Sequence, residues 1–148
     1  GSHTIEEGDA VTRKSHKSLF KNLKMLNVHL PGTVRKPSMV ISGQENNMRA
    51  DIDTVANMTI DCLSDCVRKE TSGIAFLSGG QSDSEAENHL NIMNKKNNLP
   101  WRVTFSYARA IQQSALNAWS GKDENHNSAQ TILSERAKLC SEASVGNS

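Results

Sequence analysis

Three short polar clusters carry the residue types that could do chemistry. Lys36 ends the segment Thr33-Val34-Arg35-Lys36. Ser78-Gly79-Gly80-Gln81 follows the apolar run Gly73-Ile74-Ala75-Phe76-Leu77, and Ser106-Tyr107-Ala108-Arg109 follows the alternating run that begins at Trp101. A lysine at a strand end can form an imine with a carbonyl. Its amine must be neutral for that, so its pKa has to fall well below the usual value of about 10.4, through burial or nearby positive charge. A glycine-rich turn exposes backbone N–H groups, a following helix adds its positive dipole end, and together they hold phosphate. Arg109 at a helix start would add a bidentate guanidinium. Each feature also has a plainer reading: an exposed lysine, a tight turn, a solvated arginine. As a constellation, an imine lysine and a phosphate cradle on adjacent strand ends suit carbon–carbon bond chemistry on a phosphorylated ketose. The expected setting for the Lys36 amine is a partly buried pocket beside the Ser78 turn.

The elements that must position these groups alternate along the chain. Leu19, Phe20, Leu23 and Leu26 follow the three-four spacing of an amphipathic helix, which Pro31-Gly32 ends. Residues 33–36 then read as a short strand stopped by Pro37, and residues 42–47 as a loop. Ile52, Ala56, Ile60, Leu63 and Val67 form a second helical stripe. The run from Gly73 to Leu77 has the continuous apolar character of a strand buried on both faces. Ser82 and Glu85 make a capping box for a helix reaching about Asn94. Trp101, Val103 and Phe105 alternate with polar neighbours as a third strand. Helices over 110–119, ended by Gly121, and over about 127–143 complete the chain. Such alternation predicts an α/β fold of about three parallel strands with flanking helices. A closed eight-stranded barrel needs roughly 250 residues, so 148 residues suffice for part of one, or for a small open sheet. The length suits one domain spanning 1–148.

Composition excludes several function classes. Seventeen Lys and Arg balance sixteen Asp and Glu, leaving a net charge of +1, which speaks against nucleic-acid or membrane-surface partners. No apolar run approaches the roughly 20 residues of a membrane helix. Cys62, Cys66 and Cys140 are an odd number without framework spacing, which points to a reducing, cytoplasmic compartment. Cys62 and Cys66 share a helix face, but His89 and His126 do not complete a metal-ligand spacing, so neither metal nor cofactor is expected. The sequon at Asn57-Met58-Thr59 follows no signal peptide and reads as chance.

Several segments, in order, resemble the class I fructose-bisphosphate aldolases. Gly32-Thr33-Val34-Arg35-Lys36-Pro37-Ser38-Met39-Val40 resembles that family's Schiff-base lysine segment, and Gly73 through Ser82 its phosphate loop. Leu90-Asn91-Ile92-Met93-Asn94-Lys95, Pro100 through Ala110, and Ala118-Trp119-Ser120-Gly121-Lys122 continue the likeness. The resemblance implies the sixth to eighth strands of a TIM (β/α)8 barrel, usually assembled as a homo-tetramer, and a glycolytic lyase. That enzyme cleaves fructose bisphosphate to dihydroxyacetone phosphate and glyceraldehyde phosphate. Carried over, Lys36 is the imine-forming lysine, and Leu77, Ser78, Gly79, Ser106 and Arg109 bind one substrate phosphate.

There are departures. The family's acid/base glutamate falls just before Gly1 and its C-terminal tyrosine beyond Ser148, so the expectation for residues 1–148 is an electron sink and a cradle without those groups. The alternative is a degenerate, non-catalytic piece used for binding or assembly. Arg35 replaces an apolar residue and, alternating with Lys36, should point at the helix layer, where an unpaired charge costs several kcal/mol. Ala108 replaces a glycine, at a cost of about 1 kcal/mol if the site needs positive φ. The loop before Pro100 is one residue shorter than in the family.

Overall fold

The structure, a computed structural model, describes residues 1–96 and 99–148. The shortened loop before Pro100 therefore lies partly outside the described residues. Among the described residues five α-helices and three strands follow one another as α1 (Ile5–Met25), β1 (Val34–Arg35), α2 (Ile52–Cys66), β2 (Gly73–Phe76), α3 (Asp83–Lys95), β3 (Arg102–Phe105), α4 (Arg109–Trp119) and α5 (His126–Ala143). The strands form one sheet in the order β1-β2-β3, with both pairings parallel. This is the predicted α/β alternation.

Local chemistry accounts for the helix boundaries. Thr4 and Glu7 form a reciprocal capping box at the start of α1, and Ser82 and Glu85 form another at α3. The Asp51 side chain caps α2 by accepting from the Thr54 N–H at 2.7 Å. At the end of α4 the chain turns left-handed at Ser120 and Gly121, a conformation glycine takes freely.

Some boundaries differ from expectation. The first helix begins at Ile5, far upstream of Leu19, because its start is set by a cap rather than by apolar spacing. Leu26 lies past its end and is exposed. In α2 the buried face is Val55, Ala56, Thr59, Cys62, Leu63 and Cys66, so the stripe is rotated from the expected one and Ile52 stays exposed. Thr59 explains the rotation. Its hydroxyl accepts the Val40 N–H at 3.0 Å, which holds the segment after Lys36 against the helix. β1 is shorter than residues 33–36, and Lys36 directly follows it.

The sheet has two unlike faces. Arg35, Ile74 and Val103 lie in one row across the three strands, and Ile74, Phe76 and Val103 belong to the core beneath the helices. Successive side chains alternate faces. Val34, Lys36, Arg102, Thr104 and Ser106 are accordingly exposed on the other side. No helix among the described residues is long and apolar enough to cross a membrane.

Candidate functional site

All three candidate clusters emerge at the carboxyl end of the sheet, and hydrogen bonds across the strand ends join them. The Leu77 N–H donates to the Pro37 carbonyl at 3.0 Å, tying the turn after β2 to the residue after Lys36. The Ser106 N–H donates to the Phe76 carbonyl at 2.8 Å, tying the segment after β3 to the same turn. Lys36, Leu77, Ser78 and Ser106 are thus brought to one rim. Arg109 opens α4 three residues further on.

The turn itself is built to present donors. Ser78 is buried, Gly79 and Gly80 are half-buried, and the Gln81 N–H closes the turn on the Ser78 carbonyl at 3.2 Å. Gly80 sits at φ 78°, where any Cβ would be strained and would lie 2.9 Å from the Ile41 side chain. Among the described residues the N–H groups of Ser78, Gly79 and Gly80 donate no hydrogen bond. The N-terminus of α4 is open as well, since Ala108 at its cap position offers no side-chain acceptor. Its first-turn amides point their positive end outward beside the exposed Arg109. Tyr107 fixes this helix start: its hydroxyl donates to the Ala86 carbonyl at 2.8 Å, and burial pushes its phenol pKa up.

Two side chains that the sequence patterns did not single out for this site hold the turn from outside. Arg49 donates from Nη2 to the Gly80 carbonyl at 3.2 Å and pairs through Nη1 with Glu85 at 2.9 Å. His89, buried on α3, lies 2.7 Å through Nδ1 from Gln81 Oε1. Burial holds the His89 pKa down at about 4, so the ring is neutral at physiological pH and donates to the amide oxygen. For Glu85, burial acts to raise the carboxyl pKa, but the Ser82 N–H and Arg49 outweigh it and hold it below the ordinary value.

Two expectations are corrected. Lys36 is solvent-exposed rather than in a partly buried pocket, because three strands leave its face of the sheet uncovered. The cleft beside the turn, of about 490 Å³, is lined by Ser38, Ser42, Gly79 and Gly80 with Glu7 of α1; Lys36 and Arg109 do not line it. Ala108 has φ −106°, so the alanine needs no left-handed backbone and carries no strain on that ground. Arg35 does point at the helix layer. Its Nε is buried without a hydrogen-bond partner, and desolvation lowers its pKa. Among the described residues no three His, Cys, Asp or Glu side chains gather as a metal ion would require.

Comparison with known proteins gives a consistent likeness. The family profile described as fructose-bisphosphate aldolase class-I matches residues 1–148. The chain is 47% identical over 148 residues to the protein named Probable fructose-bisphosphate aldolase class 1 of Xanthomonas axonopodis pv. citri, covering 99% of this chain and 44% of that one. It is 42% identical over 147 residues to fructose-bisphosphate aldolase 4, cytosolic, of Arabidopsis thaliana, covering 99% of this chain and 37% of that protein. A chloroplastic Arabidopsis aldolase matches at 45% over 146 residues. Among solved structures, the Plasmodium falciparum fructose-bisphosphate aldolase, crystallised with TRAP and a small-molecule inhibitor, superposes with a TM-score of 0.93 at 41% identity. That match covers 99% of this chain and 42% of that chain. The chain therefore spans less than half the length of these relatives.

Proposed function

The chain belongs to the class I fructose-bisphosphate aldolase family, and from that premise we propose that it supplies the imine-forming lysine and a phosphate cradle of a fructose-bisphosphate-cleaving lyase. In this reading residues 1–148 form the sixth to eighth strands of the family's barrel, and the open sheet face is the barrel interior. The observation that carries the proposal is the joining of the three strand ends, Pro37 to Leu77 and Phe76 to Ser106, at one rim.

The chemistry follows from the parts. The neutral Lys36 amine attacks the ketose carbonyl, and with uptake of one proton the adduct loses water to form an iminium. As a general base takes the C4 hydroxyl proton, the C3–C4 bond breaks, its electron pair passes to the iminium to give an enamine, and the aldehyde half leaves. In this reading the free N–H groups of Ser78 and Gly79, with Leu77, Ser106, the uncapped start of α4 and Arg109, bind one substrate phosphate. Binding the phosphate there fixes the carbonyl near Lys36, and positioning of that kind is a large part of a catalytic barrier.

A cytosolic location and a homo-oligomer of the tetrameric family type belong to the same reading. The exposed Leu116, Trp119 and Leu133 leave apolar surface for packing. Calorimetry with dihydroxyacetone phosphate tests the cradle. Arg109→Ala should weaken binding by about 1.5 to 3 kcal/mol, the range for a charged hydrogen bond. Equal affinity in the two proteins would remove Arg109 from the site.

A further inference from the structure

We propose that Arg49 and His89 are positioning residues that hold the Ser78–Gln81 turn in its anion-binding shape. The inference rests on the reading above and adds two residues to it. A turn containing two consecutive glycines is entropically costly to order, about 1 to 2 kcal/mol for each residue fixed. An anion site is useful only when its N–H groups already point at the ligand. The internal bonds of this turn are few: Leu77 to Pro37 at one end and Gln81 to Ser78 at the other. Between them Gly79 and Gly80 have no side chains with which to anchor themselves.

The two outer contacts supply the anchoring. The Arg49 guanidinium reaches the Gly80 carbonyl. The same guanidinium is held by Glu85, whose carboxylate also accepts the Ser82 N–H at 2.7 Å. One carboxylate therefore links the cap of α3 to the clamp on the turn. From the helix side, His89 fixes the Gln81 side chain at 2.7 Å. His89 is 3% exposed, so it cannot exchange this partner for water. Arg49 and His89 touch no part of the proposed anion site directly. They act through Gly80 and Gln81.

The experiment uses the full chain with inorganic phosphate as the probe. ¹⁵N relaxation reads the order of Gly79, Gly80 and Gln81, and a chemical-shift titration reads phosphate affinity. The wild-type turn should be as rigid as the strands, with order parameters of about 0.85. His89→Leu and Arg49→Met should each drop the turn below about 0.6 while leaving Gly73–Phe76 unchanged, and weaken phosphate about tenfold. His89→Asn, whose amide overlays Nδ1, should restore both, which simple core filling by His89 would not produce. Arg49 is about one-third exposed, so Arg49→Met carries the test if His89→Leu does not fold. A turn equally rigid in Arg49→Met, or His89→Asn behaving like His89→Leu, overturns the inference. If the turn loosens as expected but the wild type binds no phosphate, the positioning stands and the phosphate reading falls. If phosphate binds equally to all variants, the phosphate reading stands and the positioning falls.

Discussion

Replacing Arg35 with leucine should stabilise the protein, and the structure sets the size of the gain. Arg35 shares a row with Ile74 and Val103, residues that are essentially fully buried. Its Nε is buried without a partner, and a buried unsatisfied donor costs about 1 to 3 kcal/mol. Leucine removes that cost and keeps an apolar side chain over the row. It forfeits some packing of the arginine stem, so the expected net gain is about 1 to 2 kcal/mol. For a chain of this size that is an increase in Tm of roughly 2 to 8 °C. Thermal unfolding followed by circular dichroism measures it. Arg102→Leu, an exposed arginine on the other face of the sheet, is the control and should change stability by no more than about 0.5 kcal/mol. A second readout comes from His16. Burial lowers its pKa first, against an opposing bond from Nδ1 to the Thr12 carbonyl, and Arg35 lowers it further. Its NMR titration midpoint should rise in Arg35→Leu. An unchanged or lower Tm together with an unmoved His16 midpoint would show that the guanidinium is satisfied, and the cost assigned to its Nε would be wrong.

Acid should destabilise the fold before the carboxylates titrate. His89 is held at about 4 against an ordinary 6.5, so between those values the unfolded chain binds a proton that the folded chain does not. Stability should fall as pH drops from about 6.5 to about 4, by on the order of 3 kcal/mol, and His89→Asn should flatten most of that slope in pH-dependent melts. Cys62 is fully buried and its thiol is pushed up to about 12, chiefly by burial. Iodoacetamide at pH 8 should therefore label it only at the rate of unfolding, and a rapid initial labelling phase would contradict its placement.

The strand order and helix alternation were legible because buried strands and capped helices write themselves in short, local patterns. Gly73 through Phe76 is apolar throughout; Ile74 and Phe76 are fully buried beneath the helices, while Ala75 on the open face is only half-buried, so the strand expected to be buried on both faces is covered on one. Ser82 and Glu85 announce the α3 cap from three residues apart. The two-residue β1 has no comparable pattern, and its place in the sheet depends on pairing with β2. The rotation of α2 was hidden because a buried threonine looks polar until its partner, the Val40 N–H, is known. In the candidate site, glycine-rich turn and helix-start chemistry can be read from sequence order alone. Arg49 and Gly80 are far apart in sequence and meet through a loop, so nothing local pairs them. His89 did leave a trace. It lies on the same α3 face as the buried Ala86, Leu90 and Met93, where a polar ring must find a partner. The openness of the Lys36 face follows from the three strands that the sequence already predicts, and the pocket expected for its amine did not follow from that count.

Borohydride trapping with dihydroxyacetone phosphate, followed by peptide mapping, tests most directly whether Lys36 is an imine lysine served by a phosphate cradle. Exposure alone would give Lys36 no advantage over the likewise exposed Lys14, Lys17 and Lys21. Imine formation needs only an amine and a carbonyl held together, so a formed cradle should concentrate the reduced adduct on Lys36 and Arg109→Ala should diminish it. An adduct spread evenly over Lys14, Lys17, Lys21 and Lys36, unchanged in Arg109→Ala, would contradict the assignment of both residues.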